Sequence, residues 1–497
     1  MLQLSPVVQA EGWTSFRNGG GSLSKSPLPL EWSPSEGILW QKELIGYGQS
    51  APVISDGEVF VTSVVGDRCE TVAIECFDLL SGELRWRYQQ PSSQQHVSTY
   101  MHSRAAPTPV VDDDAVYAFF ETGDCIAVDR KGERIWSRNE TEATGPFQNH
   151  HGLGASPAHD DNNLYLVLEH DGPSCLLAIE KSTGRTSWKV DRDSTKSWSS
   201  PIVTNVHGRS QVIVSSGGTV QAYSANEGNQ LWQIDGLEGN SVPSPVVAGD
   251  YLLVGARLPE FAQDGTVRAN CCIDLSTIES GKIPSVVWKA DKAICDYASP
   301  IAVGNCAYFI NKANALHCID LTTGEVHYRR RLELTCWATP IATQSNIYFF
   351  GKDGQCKIVD AGPVYREVAV NRLWDLDAPP PPLRYTEATA PAHGTEQSSD
   401  ERPGGGMVGR LLAGDVDQNR FLEGDEIPAM FAKNLDRVDT DHDGRLDAQE
   451  IQEMAKGFAE RRKHSQASSR DPILYGGAAS EGKLALRTGT RIYVIEK

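Results

Sequence analysis

No run of 18 apolar residues exists in this 497-residue chain, so no membrane-spanning helix is expected. A basic surplus is also missing. The chain has 46 Lys and Arg against 65 Asp and Glu, a formal charge of −19. Broad phosphate-backbone binding needs that surplus, so nucleic acid is excluded as a partner, whereas cation binding is compatible. Neither CxxC nor CxxCH occurs, which removes c-type haem and the common zinc-ribbon spacing. The cysteines number 11, so at least one has no partner within the chain. The opening MLQLSPVVQA lacks the basic region and apolar length of a complete signal peptide, although Val8-Gln9-Ala10 has the small-residue look of a cleavage site. A periplasmic or exported protein with a cut-back leader and a cytoplasmic protein with a short disordered N-terminus both stay open.

What the chain does contain is repetition. A small apolar residue, an acidic or polar residue two positions on, a Gly turn and an aromatic four residues after the Gly recur together. The unit runs Cys76-Phe77-Asp78 to Gly82 to Trp86, then Ala127-Val128-Asp129 to Gly132 to Trp136. It continues as Ala178-Ile179-Glu180 to Gly184 to Trp188, Ala222-Tyr223-Ser224 to Gly228 to Trp232, and Cys318-Ile319-Asp320 to Gly324 to Tyr328. Longer versions join Asp274 to Trp288 and Asp360 to Trp374. Each unit opens on a small residue and Pro: Ala51-Pro52, Thr108-Pro109, Ser156-Pro157, Ser200-Pro201, Ser244-Pro245, Ser299-Pro300 and Thr339-Pro340. Proline is tolerated at the start of a strand but not within a ladder. Alternating strands such as EVFVTSVV and NIYFFGK follow.

About four short strands per unit is the content of one propeller blade. The Gly supplies the positive φ of the turn before the outer strand, the acidic residue caps the turn amides, and the Trp packs on a neighbouring blade. The C-terminal GKLALRTGTRIYVIEK offers inner strands with no outer one, and Gly37–Leu44 offers an outer strand, with Trp40, and no inner ones. Joining them predicts an all-β, eight-bladed propeller closed by strands from both termini, with no exposed sheet edge. A monomer is expected.

With its Ala-x-Asp-x-x-Thr-Gly-x-x-x-Trp marks, best seen at 178–188 and 318–328, the sequence resembles the tryptophan-docking propellers of the pyrroloquinoline-quinone-like family. Four segments look most like those of bacterial, planctomycete-type members: Gly12-Trp13 to Gly20, His102-Ser103-Arg104, His151-Gly152 and Ser197-Trp198-Ser199-Ser200-Pro201. The resemblance implies the propeller. It does not choose a function, because the family holds both quinone-dependent alcohol dehydrogenases and a non-catalytic outer-membrane assembly scaffold. The dehydrogenases carry a vicinal disulfide and a catalytic Asp, with a Glu and an Asn holding calcium beside pyrroloquinoline quinone (PQQ). Cys271-Cys272 invites the comparison. Cys272, however, fills the small buried slot that Cys76, Ala127, Ala178, Ala222 and Cys318 fill elsewhere, and Cys271 then faces the other side of its strand. The other active-site residues match no positions here, so no catalytic residue carries over. His96, His102, His150, His151, His159 and His170 fall near loops at blade starts, where the channel mouth offers a surface for a protein or small-molecule ligand. Without fixed spacing they read as solvated loop residues rather than metal ligands.

The sharpest motif interrupts the last blade. Asp439, Asp441 and Asp443 stand at positions 1, 3 and 5 of a 12-residue EF-hand calcium loop, with Gly444 at the bend. Arg445 offers its backbone carbonyl, Asp447 ligates through water, and Glu450 closes with both oxygens. A second copy starts 24 residues earlier with Asp415, Asp417, Asn419, Phe421, Glu423 and Glu426, but has Arg420 where Gly is wanted. Leu422 and Leu446 occupy the position at which paired loops join in a short ribbon. The expected organisation is propeller over 1–377, Pro/Gly-rich linker over 378–406, EF-hand pair over 407–470 and last blade over 471–497. The expected function is a calcium-binding, non-catalytic binding or scaffold propeller with two Ca2+ sites, the Asp439 loop the stronger. The alternative is a PQQ-dependent dehydrogenase-like enzyme using the channel.

Overall fold

A computed structural model describes residues 12–95, 103–149, 151–257, 269–278, 283–290, 292–381 and 471–496, and within the insert 419, 421–427, 439–441, 443–447 and 449–453. The chain divides into two compact units, residues 1–389 with 470–497, and residues 390–469.

The first unit contains eight four-stranded antiparallel sheets. Blade 1 runs Val53–Ser55, Glu58–Val65, Thr71–Asp78 and Leu84–Pro91 from the axis outward. Blades 2 to 7 repeat the order, starting at Val110, Ala158, Ile202, Val246, Ile301 and Ile341. Blade 8 is built from Gly477–Ser480, Lys483–Arg487 and Arg491–Ile495, and its outer strand is Ile38–Glu43 from the other end of the chain. Trp40 lies opposite Val494 and Glu43 opposite Arg491, so the expected closure is present. The faces between blades hold the core: seven buried apolar clusters separate neighbouring sheets. The largest joins blades 7, 8 and 1 with Trp13, Leu28 and Trp32 from the N-terminal segment.

The repeated Trp docks on the next blade. Trp86 Nε1 donates to the Arg130 carbonyl at 2.8 Å, Trp136 to Lys181 at 2.7 Å, Trp188 to Ala225 at 2.9 Å, Trp288 to Leu321 at 2.8 Å and Trp40 to Leu79 at 2.9 Å. The repeat Gly therefore has two reasons to be Gly. At Gly132 φ is +85°, and a Cβ there would sit 2.7 Å from the Trp86 ring. Asp78 and Asp320 cap their turns as expected, each accepting two backbone N–H bonds. Trp232 departs from the rule and donates to Gln211 of its own blade. The next blade's turn is replaced by a 3-10 turn, Leu275–Thr277.

The Ser or Thr before each Pro has a role that the proline reading missed. Each hydroxyl accepts the backbone N–H of the equivalent residue one blade earlier. The links run Ala51 to Thr108, Thr108 to Ser156, Ser156 to Ser200, Ser200 to Ser244 and Ser244 to Ser299 at 2.9–3.1 Å. Ser299 to Thr339 follows at 3.3 Å, and Thr339 N–H ends on the Tyr475 carbonyl at 3.2 Å. These residues are buried, so each link satisfies a donor that water cannot reach. Ser200→Ala should strand the Ser156 N–H and cost about 1–3 kcal/mol, read as a lowered urea midpoint. Ser200→Thr, which keeps the hydroxyl, should lie close to wild type. An alanine variant with an unchanged midpoint would remove the ring of hydroxyls from the account of stability.

Candidate functional site

In each blade the loop leading to the next blade and the hairpin between the second and third strands lie on one face, the channel mouth. The channel beneath is crossed by the chain's own N-terminal segment. Trp13 and Ile54 exchange backbone bonds at 2.8 and 2.9 Å, and Thr14 accepts from Val111 N–H at 2.8 Å. On the far side Ser24 N–H donates to Ala342, whose own N–H donates to Ser22, at 2.8 and 2.9 Å. Between them Arg17 reaches blade 5, donating to the Ser244 and Pro245 carbonyls at 3.4 and 2.6 Å. Burial lowers its pKa to about 9. Arg17, Asn18 and Ser22 all hold left-handed backbone, at about 1–2 kcal/mol each. The crossing is therefore strained and fixed by bonds to the wall.

The four segments singled out in the sequence converge at this axis. Ser103 N–H donates to the His151 carbonyl at 2.7 Å, and Trp198 Nε1 to Gly152 at 3.0 Å. The His151 and Trp198 rings are 6.0 Å apart, and Phe16 meets Tyr475 edge-on at 6.2 Å. A Cβ on Gly154 would strike the Tyr475 hydroxyl, the Trp198 ring and Ser103, so only Gly fits there. Beside them Arg104 lies 3.7 Å over the Tyr47 ring. The Glu121 Oε2 accepts the Ala105 N–H at 2.8 Å. Burial raises the Glu121 pKa to about 8, against the lowering pull of the Ala105 N–H and of Arg104. Tyr475 and Glu121 stand outside the repeat motif, and nothing in the spacing marked them.

Among the described residues the arrangement brings no nucleophile and base together. Ser199 is fully buried, and its hydroxyl has no partner among the described residues. No Ser or Thr hydroxyl is hydrogen-bonded to an imidazole among them, the pairing that nucleophilic activation needs. His170 Nδ1 accepts two backbone N–H groups, from Gln148 and Gly172, a structural use. His159 ends the inner strand of blade 3 and points the mouth reading wrong for that residue, because that end faces away from the connecting loops. His96, His102 and His150 lie outside the described residues.

The residues present do not fit a quinone site of the dehydrogenase kind. Cys271 and Cys272 are buried free thiols inside blade 5, paired with Val254 and Leu253 of the neighbouring strand. Cys271 packs into the core between blades 4 and 5, and Cys272 into that between blades 5 and 6. Opposite faces of a strand cannot offer a vicinal disulfide to one ligand. All 11 cysteines are buried, and no disulfide joins any of them.

In the second unit Asp439, Asp441 and Asp443 bring carboxylate oxygens within 4.8 Å of one another, the one such group of potential metal ligands among the described residues. Gly444, at φ +83°, donates its N–H to Asp439 at 2.8 Å, and Asp443 accepts from Arg445 N–H at 2.8 Å. Glu450 returns to the loop start and accepts Thr440 N–H at 2.6 Å. Leu422–Glu423 and Arg445–Leu446 pair antiparallel, with Leu422 opposite Leu446 and both buried. In the first loop Phe421 N–H donates to Asn419, and Glu423 and Glu426 form a reciprocal cap. Asp415, Asp417 and Arg420 lie outside the described residues. Carboxylates at this spacing, an αL glycine and a closing Glu fit a hard, oxygen-seeking ion such as Ca2+.

Fold and mouth together define an eight-bladed, tryptophan-docked propeller. The family model described as outer membrane protein assembly factor BamB matches residues 24–148 and 132–270. The chain belongs to the PQQ-like β-propeller repeat family. It is similar to the outer membrane protein assembly factor BamB of Yersinia pestis, 28% identical over 260 residues, which is 51% of this chain and 59% of that relative. The match thus spans less than two thirds of the curated relative. The crystal structure of BamB from Moraxella catarrhalis aligns with TM-score 0.50 and 13% identity, over 67% of this chain and 87% of that one. A europium-containing methanol dehydrogenase aligns with TM-score 0.54 and 11% identity, over 73% and 85%. At such identities these structures speak for the fold alone.

Proposed function

We propose that the protein is a non-catalytic binding or scaffold propeller of the periplasm or another exported compartment, carrying a calcium-binding EF-hand pair. The observation that carries the non-catalytic reading is the filled channel. Trp13 to Ser24 occupies the space a cofactor or substrate would need, tied to blades 1, 2, 5 and 7. Ligands are then met at the mouth and on the blade surfaces, where propellers commonly bind proteins. Likeness to an assembly factor named for the outer membrane supports both the scaffold role and the exported compartment. For calcium, the support is the carboxylate geometry around Asp439 and the ribbon joining the two loops.

The test is reconstitution. Purified protein with PQQ and calcium should give no quinone absorption band after desalting and no dye-linked oxidation of primary alcohols. A retained quinone with alcohol-dependent bleaching would replace the scaffold with an enzyme.

A further inference from the structure

On the far side of the mouth, blades 5 to 7 carry a layered stack that the repeats do not require. Tyr297, in the loop from blade 5 to blade 6, lies face to face with Trp337, in the next loop. Their centroids are 4.1 Å apart and their planes 19° apart. Lys352 Nζ stands 3.8 Å from the Trp337 centroid. Tyr297 already covers one face of that ring, so the ammonium takes the other. Arg257 lies over Tyr297 at 5.5 Å. The order is cation, indole, phenol, cation.

Lys352 is the anomaly. Among the described residues, four lysines of the propeller are buried: Lys181, Lys352, Lys357 and Lys483. Three are countered by carboxylates, Lys181 by Asp112 at 2.7 Å, Lys357 by Glu367 at 2.9 Å and Lys483 by Glu496 at 3.0 Å. Lys352, only 8% exposed, forms no ion pair among the described residues. Burial alone brings its pKa to about 8, with no neighbouring carboxylate to hold it up. Arg257 likewise has no carboxylate partner among those residues, and its Nε is buried without a hydrogen bond. A ring face returns less to a cation than burying an unpaired charge costs. In a chain of net charge −19, two cations on one stack with no carboxylate partner among the described residues point to a counter-charge arriving from outside.

We propose that the Lys352–Trp337–Tyr297–Arg257 stack is a docking site for an acidic peptide segment, whose carboxylates meet the two cations while its backbone and aliphatic stems lie along the ring edges. Two rings separate the cations, so one small anion satisfies only one of them. An extended peptide carries same-face side chains roughly 7 Å apart and spans the stack. This rests on the reading of the mouth as a protein-binding surface and names its partner by chemistry.

The experiment is calorimetry on the full-length chain in a calcium chelator, titrated with hexaglutamate and, separately, inorganic phosphate. Hexaglutamate should bind. Lys352→Gln and Arg257→Gln should each weaken it about tenfold or more, the worth of one charge-assisted contact. Lys352→Arg should retain binding, and Lys189→Gln, on the outer strand of blade 3, should leave it unchanged. Circular dichroism checks that each variant folds. Equal affinity in wild type and both glutamine variants, or no binding by wild type, overturns the site. Phosphate binding that depends on Lys352 without any hexaglutamate binding overturns the peptide in favour of a small-anion pocket. The quinone reconstitution reads out separately, so failure here leaves the scaffold reading to its own test.

Discussion

Deleting residues 1–45 is expected to abolish soluble monomer. The truncation removes Ile38–Glu43, the outer strand of blade 8, and exposes the Arg491–Ile495 edge along its whole length. That edge is hydrophobic, with Ile492, Val494 and Ile495 fully buried in the intact ring, and such an edge templates aggregation. Three buried indoles leave with it: Trp13, Trp32 and Trp40. At about 1.5–3 kcal/mol or more each by area, their loss is comparable with the whole 5–15 kcal/mol stability of a typical domain. Trp40→Ala alone should cost about 3–5 kcal/mol, because it vacates the bed over Gly82 and breaks the bond to Leu79. Size-exclusion chromatography and thermal melting decide it. A truncated chain that elutes as monomer with an unchanged melting temperature would show that the ring does not depend on its closing strand.

The second large effect concerns calcium. Glu450→Gln should remove the tighter of two binding events, and Glu426→Gln the weaker. The Asp439 loop offers five carboxylates at ligand positions and carries Gly444 in the left-handed bend at φ +83°. The Asp415 loop offers four, because Asn419 is neutral, and has Arg420 at the equivalent bend. A left-handed non-Gly residue costs about 1–2 kcal/mol, and 1.4 kcal/mol alone is tenfold in affinity. The structure adds a term in the same direction. Glu423, a ligand position of the weaker loop, is held by Arg445 at 2.7 Å, and that ion pair must loosen before the carboxylate can turn to a metal. Because Arg445 belongs to the other loop, the two events are coupled, and steps that partly merge are expected. Calorimetry on both variants checks the order. If Glu426→Gln abolishes the tighter event and Glu450→Gln spares it, the glycine argument fails.

The ring was legible because its determinants are local and repeated. One Gly-to-Trp spacing and one Ser/Thr-Pro step recur, and each repeat carries its own turn, cap and dock. Even the closure could be read, since Trp40 and the terminal strands each lacked what the other had. The departures were illegible for the opposite reason. Trp232 turns inward because of a 3-10 turn in the next blade, a feature of another repeat. The channel-crossing segment has no strand pattern, and its left-handed Arg17 and Asn18 carry none of the glycine signal that announces such backbone. The mouth residues were the least readable. Tyr475, Glu121, Trp337 and Lys352 come from different blades, and only closure of the ring brings them together.

The chain of hydroxyl links has a beginning and an end. It starts at Ala51, which has no hydroxyl to offer backward, and stops at the Tyr475 carbonyl. Each blade waits for the next to supply its acceptor, so the links form in the order of synthesis and the seam between blades 8 and 1 is sealed last. The insert is translated between the seventh blade and that seal. At about 5–20 residues per second, residues 378–470 delay closure by roughly 5–20 s. For that interval a seven-bladed arc waits with Ile38–Glu43 unpaired, and the whole carboxylate-bearing insert is made before the final strands emerge.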